Sequence, residues 1–137
     1  MALLSFLAMF GLMYAMVDRL DNVLVNINQA YMAALMALPM VAIEVVVMGK
    51  MYSDRRLNIA ILSVCVIGAL AFWWAIREQT AVADQQFLRS MIPHHAGAIL
   101  MCEKANLKDV EVLALCRQII DSQKVEIEQM KGMLADR

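Results

Sequence analysis

The chain opens on three apolar runs and then turns amphipathic. Residues 2–17 and 57–76 carry no charge, and residues 30–49 carry only Glu44. About 20 apolar residues in a helix cross the roughly 30 Å of a bilayer's hydrocarbon core. Three transmembrane helices are therefore predicted at about 2–17, 30–49 and 57–76. The first is short, and it lacks the basic start and small-residue cleavage site of a secretory leader, so it is read as a retained helix.

Beyond residue 77 the period becomes that of amphipathic helices. Phe87, Met91, Ala98, Met101 and Ala105 recur on one stripe that stays in phase across Pro93, which predicts a single Pro-containing helix ending near Ala105. Asn106 suits a left-handed stop and Asp109 an N-cap. The next helix sets Val112, Cys116, Ile119, Gln123, Ile127, Met130 and Leu134 on one face. The two form an antiparallel hairpin with its turn near Leu107. Counting equally from that turn sets Ile120 level with His94, Gln123 with Met91 and Glu126 with Leu88. With no Pro or Gly linker directly after Ile76, the third span is expected to run directly into the hairpin. The expected fold is all-α, with a membrane region over 1–77 and a helical hairpin domain over 78–137.

Composition sharpens this picture. The chain has 137 residues, 62% of them hydrophobic and 18% charged, and a mean hydropathy of +0.63. That is too apolar for a water-soluble domain of this size and makes the bilayer the first partner. A net charge of −1 leaves no basic field for nucleic acid. The connection 18–29 has one basic residue, Arg19, whereas 50–56 holds Lys50, Arg55 and Arg56. The positive-inside rule then puts 50–56 and the N-terminus in the cytoplasm and the hairpin outside, with Trp73 and Trp74 as belt residues at the outer interface.

The chemistry gathers at 91–101, where both histidines of the chain lie between methionines. At 100° per residue Met91, His94, Ala98 and Met101 share a side of the helix, and His95 lies at its edge beside Met91 and Cys102. Imidazole with thioether is a soft donor set suited to copper, above all Cu(I), and less to zinc. The bland alternative makes His94 a hydrogen-bonded core histidine, His95 a surface one and the methionines packing. Gln123 falls in mid-stripe, where an unpartnered amide costs about 1–3 kcal/mol, so a polar group is expected opposite it. Cys65, Cys102 and Cys116 have no metal-site spacing and read first as small buried hydrophobes, with pairing of Cys102 and Cys116 left open.

A second pattern lies in the spans. Met9, Met13 and Met16 share a stripe of the first, and Met32, Met36, Met40 and Met48 form an i to i+4 ridge on the second whose missing step is Glu44. If the two spans are antiparallel neighbours, Met16 pairs with Met32, Met13 with Met36, Met9 with Met40 and Ser5 with Glu44. Such a ladder of thioethers ending in a carboxyl reads as a passage for Cu(I), or as flexible packing with Glu44 hydrogen-bonded to Ser5 or Ser63.

With Asp84, Phe87, Met91, Ile92, Pro93, His94, His95, Ala98 and Met101 followed by Gln123, Glu126, Ile127, Met130 and Leu134, the chain resembles the helical family called domain of unknown function 305. Several members of that family bind copper in the bacterial periplasm. The resemblance covers most of 81–135, and the Met-rich stretch 31–51 looks like the membrane region attached to some members. It implies a ferritin-like helical bundle and copper chemistry at Met91, His94, His95 and Met101, with Asp84 as a weaker carry-over. Gln123, Glu126 and Cys102 are further candidates as ligands or as supports of ligands. Longer members carry two His-His hairpins where this chain has one. A two-helix hairpin of about 55 residues is also too small to be stable alone. Both points lead to a homodimer, or a larger homo-oligomer, that completes a four-helix bundle.

The function expected is a non-enzymatic, membrane-anchored copper-binding protein for extracytoplasmic tolerance, storage or delivery, exchanging copper with a donor or acceptor protein. The alternatives are the Met-lined passage and a structural membrane association module without metal. No Glu-x-x-His is present for a carboxylate di-iron site, and the two histidines supply a hydrolytic zinc site poorly.

Overall fold

The computed structural model describes residues 1–49, 51 and 54–136. Among them the chain is all-α and has no strand. Its helices are α1 (Ala2–Leu12), α2 (Ile27–Val47), α3 (Arg55–Arg77), α4 (Asp84–Lys104) and α5 (Val110–Ala135), with single 3-10 turns at Met13–Met16 and Leu20–Asn22. Lys50, in the basic connection expected to be cytoplasmic, lies outside the described residues. The chain folds as two compact units, Met1–Met13 with Ile27–Ala81, and Tyr14–Asn26 with Val82–Arg137.

In the first unit α2 lies against both α1 and α3. Two helices, α2 and α3, are long and apolar enough to cross a membrane. Helix α1 stops at Leu12 and tightens into a 3-10 turn ending at Met16, and Ala2–Met16 together make a shorter apolar helix than those two. Small residues let the helices approach: Ala33, Ala37 and Cys65 are buried, and Gly68 is so close to Leu38 that a Cβ there would stand 3.0 Å from its Cδ1. Asp54 caps α3, accepting from the backbone N–H groups of Arg56 at 2.9 Å and Leu57 at 3.1 Å.

The third span does not run on into the hairpin. The backbone N–H of Thr80 bonds the Ala75 carbonyl and that of Gln79 the Ile76 carbonyl, with Gln79 in the left-handed region at φ 49. This is a Schellman stop made without glycine. Side-chain bonds compensate the strained residue. Gln79 Nε2 donates to the Ile76 carbonyl at 2.7 Å, and Asn28 Nδ2 donates to Gln79 Oε1 at 3.0 Å. Tyr31 adds a bond to the Thr80 carbonyl. The start of α2 and the end of α3 are thereby tied together, at the end of the unit opposite the α2–α3 connection.

The second unit is the hairpin α4–α5 with segment 14–26 packed on it. Helix α4 runs unbroken through Pro93, and Asp109 caps α5 as expected, accepting from the N–H groups of Glu111 and Val112. The core is Ile92, Ala96, Ile99 and Ile127, with Val17, Leu24, Met130 and Leu134 packed against it. Val17 comes from the end of the first expected span and Leu24 from the connection that follows it. Gly97 admits this segment, since a Cβ there would meet the Met16 carbonyl oxygen at 3.4 Å. Buried Asn26 pins it by donating to the carbonyls of Leu24 at 3.0 Å and Arg89 at 3.4 Å. The hairpin therefore has a third layer from its own chain.

Asn106 does not make the left-handed stop. Positive φ among the described non-glycine residues occurs at Gln79 and Ala81, and α4 and α5 are instead flanked by extended backbone at Ala105 and Asp109. This extended connection carries the chain past the end of α4, so the first turn of α5 overhangs it, with Val110 and Val112 exposed.

Candidate functional site

Helix α4 buries Leu88, Ile92, Pro93, His95, Ala96 and Ile99. The face chosen from the sequence, Phe87, Met91, Ala98, Met101 and Ala105, is instead the outward side: Phe87 and Ala105 are exposed, Met101 is 58% exposed, and Met91 and Ala98 are half-buried. Both stripes have helical period, and the partner helix chooses between them. On α5 the expected face is the inner one, with Ile127 buried and Cys116, Ile119, Gln123, Met130 and Leu134 half-buried. Only its first member, Val112, is exposed.

The consequence for the histidines reverses the bland assignment: His95 is 9% exposed and His94 stands in the open. Their rings lie edge to face with centroids 6.2 Å apart. Both nitrogens of His95 are engaged. Nδ1 lies 2.9 Å from the Met91 carbonyl oxygen and Nε2 lies 2.7 Å from Glu126 Oε2. A carbonyl only accepts, so Nδ1 carries the hydrogen and Nε2 is left facing the carboxyl, with one proton shared between them.

Cys102 and Cys116 form a disulfide, with Cα atoms 5.3 Å apart. The reading of these two cysteines as plain buried hydrophobes is thus corrected, and Cys102 is not a thiolate ligand. The crosslink also fixes the register. Equal counting from Leu107 pairs Cys102 with Val112, and the overhang of α5 moves its partner one turn on, to Cys116. Carried along both helices, this register sets Gln123 level with His95 and Glu126 level with Ile92. Helical side chains lean toward their own N-terminus, and so Glu126 reaches back one turn to His95. Gln123 Oε1 is buried and has no hydrogen-bond partner among the described residues. His95 stands at the level of Gln123, but its two ring nitrogens are taken by the Met91 carbonyl and Glu126.

Asp84 opens α4, ten residues before His94, which at 1.5 Å per residue is about 15 Å along the axis. It favours the helix N-terminus and is not brought to the histidines. Among the described residues no group of three His, Cys, Asp or Glu side chains is placed to hold a metal ion. The donors brought together are the His95 imidazole and the Glu126 carboxyl at the inner edge of α4, with His94 and the thioethers of Met91 and Met101 on its outer side.

In the first unit Met32, Met36 and Met40 point outward, with Met36 43% and Met40 44% exposed. Within one chain they do not face an enclosed path. Ser63 bonds its own helix at the Ile59 carbonyl, and Glu44 makes no hydrogen bond to Ser5 or Ser63. Met16 belongs to the second unit.

Sequence reasoning missed segment 14–26 as part of the hairpin unit. Its signal was Asn22 and Asn26, two amides in an apolar neighbourhood that become buried. The disulfide had a signal too, in two cysteines flanking one predicted turn.

Residues 74–134 match the family model described as domain of unknown function (DUF305), which bears out the resemblance carried by the His-His and Gln-x-x-Glu motifs. The chain is also 29% identical over 140 residues to "Uncharacterized protein L153" of Acanthamoeba polyphaga mimivirus, a likeness that covers all of this chain and 90% of the relative. It therefore takes in the apolar helices as well as the hairpin. No solved structure matches the chain.

Proposed function

Taking residues 74–134 as a DUF305 domain, we propose that this protein is a non-enzymatic, membrane-anchored copper-binding protein whose hairpin captures the ion outside the cytoplasmic membrane for tolerance, storage or delivery. One observation carries the reading, the mounting of His95. A metal-binding imidazole commonly donates its other ring N–H to a backbone carbonyl, which fixes the tautomer and aims the free nitrogen. His95 has this arrangement, with Nδ1 on the Met91 carbonyl and Nε2 aimed at one exchangeable partner, Glu126. An ion taking Nε2 displaces the shared proton and frees the carboxyl. Exposed His94 is the adjacent second imidazole, and Met91 and Met101 supply thioethers that favour Cu(I) over zinc.

The disulfide supports an oxidising compartment for the hairpin, because such bonds persist outside the cytosol. Arg55 and Arg56 at the α2–α3 connection support a cytoplasmic loop, with the N-terminus on the same side. A third crossing by residues 2–17 belongs to this proposal, as does a homodimer that covers the outward apolar side of α4. Such a pair places two His94–Met101 faces together and completes a four-helix bundle of the ferritin-like kind.

The test is the copper content and stoichiometry of the detergent-purified full-length protein, compared with a His94→Ala, His95→Ala double variant. Less copper per chain in the variant than in the parent is the expected result. Equal copper in the two would overturn the reading.

A further inference from the structure

Between α1 and the last turns of α2 lies a cavity of about 400 Å³ lined by Met1, Ser5, Met40, Glu44 and Met48 together with Ile43 and Val47. It brings Ser5 and Glu44 onto one open rim that also carries the thioethers of Met1, Met40 and Met48. Met40 and Glu44 lie one turn apart on α2, Met48 follows just past its last residue with its N–H on the Glu44 carbonyl, and Ser5 of α1 with Met1 at its N-cap completes the rim. Glu44 is only half-buried and makes no ion pair or hydrogen bond through its side chain with any described residue. An ionisable side chain in a membrane helix is costly unless something offsets it, and no side chain among the described residues does so here.

We propose that this cavity is a binding site for one monovalent soft cation, Cu(I) or its analogue Ag(I), separate from the hairpin histidines and independent of the reading given to them. Thioethers select soft ions, and among metal ions Cu(I) and Ag(I) accept them readily. Charge selects again. One carboxylate with one monovalent cation is neutral, which an apolar surrounding tolerates, whereas a divalent ion would leave an uncompensated charge in it. Zinc is thus rejected twice, by its weak affinity for thioether and by its charge. The methionines further along the ridge, Met32 and Met36, take no part, because they are not among the residues that line it.

The probe is Ag(I) itself, added to the full-length protein in lipid nanodiscs. The hairpin is silenced by Met91→Leu, His94→Ala, His95→Ala and Met101→Leu together. This variant retains one Ag(I) per chain and binds no Zn(II) at the same concentration. Adding Met40→Leu and Met48→Leu, which keep side-chain volume, weakens the remaining Ag(I) site about tenfold or more, and Glu44→Gln does so by a similar factor through loss of the counter-charge. A second readout needs no substitution: Ag(I) bound to the parent protein protects Met40 and Met48 from oxidation by hydrogen peroxide, followed by peptide mass spectrometry, while Met32 and Met36 are not protected. The proposal is overturned if the silenced protein binds no Ag(I), if the Leu pair leaves its affinity unchanged, or if Met40 and Met48 oxidise equally with and without Ag(I). Silencing the hairpin tests the histidine site separately, so the failure of one site does not imply failure of the other.

Discussion

His95 and Glu126 stand on different helices, 31 residues apart in the chain, and meet at 2.7 Å between Nε2 and Oε2. The contact joins a nearly buried ring to a carboxyl whose side chain is 51% exposed. Solvent reaches the pair mainly at the carboxyl, which suits a position where a proton is exchanged for an ion. It also makes His95 a structural part of the hairpin, so its loss affects folding as well as binding.

Glu126→Ala leaves Nε2 at the edge of the core with no protein partner. The expected cost is about 1 kcal/mol, at the low end for a hydrogen bond to a charged group because the carboxyl is half-exposed. Glu126→Gln keeps a hydrogen-bonding group at the same place and should recover most of it. Denaturant unfolding of the full-length protein followed by circular dichroism measures both; equal losses in the two would show that the contact contributes no orientation.

Met91→Leu with Met101→Leu should weaken copper far more than zinc, because a thioether contributes to the soft ion and scarcely to the borderline one. His94→Ala should weaken both. Competition titrations with the two ions check this, and a parallel decline of copper and zinc in the Leu pair would remove the thioethers from the ligand set.

Reduction, or Cys102→Ser with Cys116→Ser, should destabilise the hairpin. The bond closes a loop with a sequence separation of 14, for which the chain-entropy estimate is about 3 kcal/mol. The observable is a lower unfolding midpoint under reducing conditions. Thiol alkylation of denatured, unreduced protein from intact cells should label Cys65 and spare the other two; labelling of all three would place the hairpin in a reducing compartment and end the extracytoplasmic reading.

Leu24→Ala should loosen the hairpin although it lies in the segment between the first two apolar helices. Leu24 is half-buried against the Ile92 cluster, so its truncation should cost about 1–2 kcal/mol, less than a fully buried leucine. Hydrogen exchange at α4 reads the effect. Unchanged protection around Ile99 would mean that segment 14–26 does not act as the third layer.

The sequence alone determined whatever depends on spacing within one helix. The apolar runs behind α2 and α3, the continuity of α4 through Pro93, the Asp109 cap and the inner face of α5 follow from local backbone energetics and a 3.6-residue period. The His-His and Gln-x-x-Glu motifs carried the family resemblance of residues 74–134 for the same reason. Tertiary structure decided everything that depends on which face meets which neighbour. On α4 two apolar stripes had equal period, and only packing against α5 and residues 14–26 turned Ile92 and His95 inward and Met91, His94 and Met101 outward. The hairpin register was set by an extended connection and the Cys102–Cys116 crosslink, neither of which leaves a periodic trace. Glu126 consequently reached His95 rather than the level of Leu88. The break after Arg77 came from a left-handed Gln79 held by Asn28, a contact 51 residues distant in sequence, and no local propensity announces a bond of that kind.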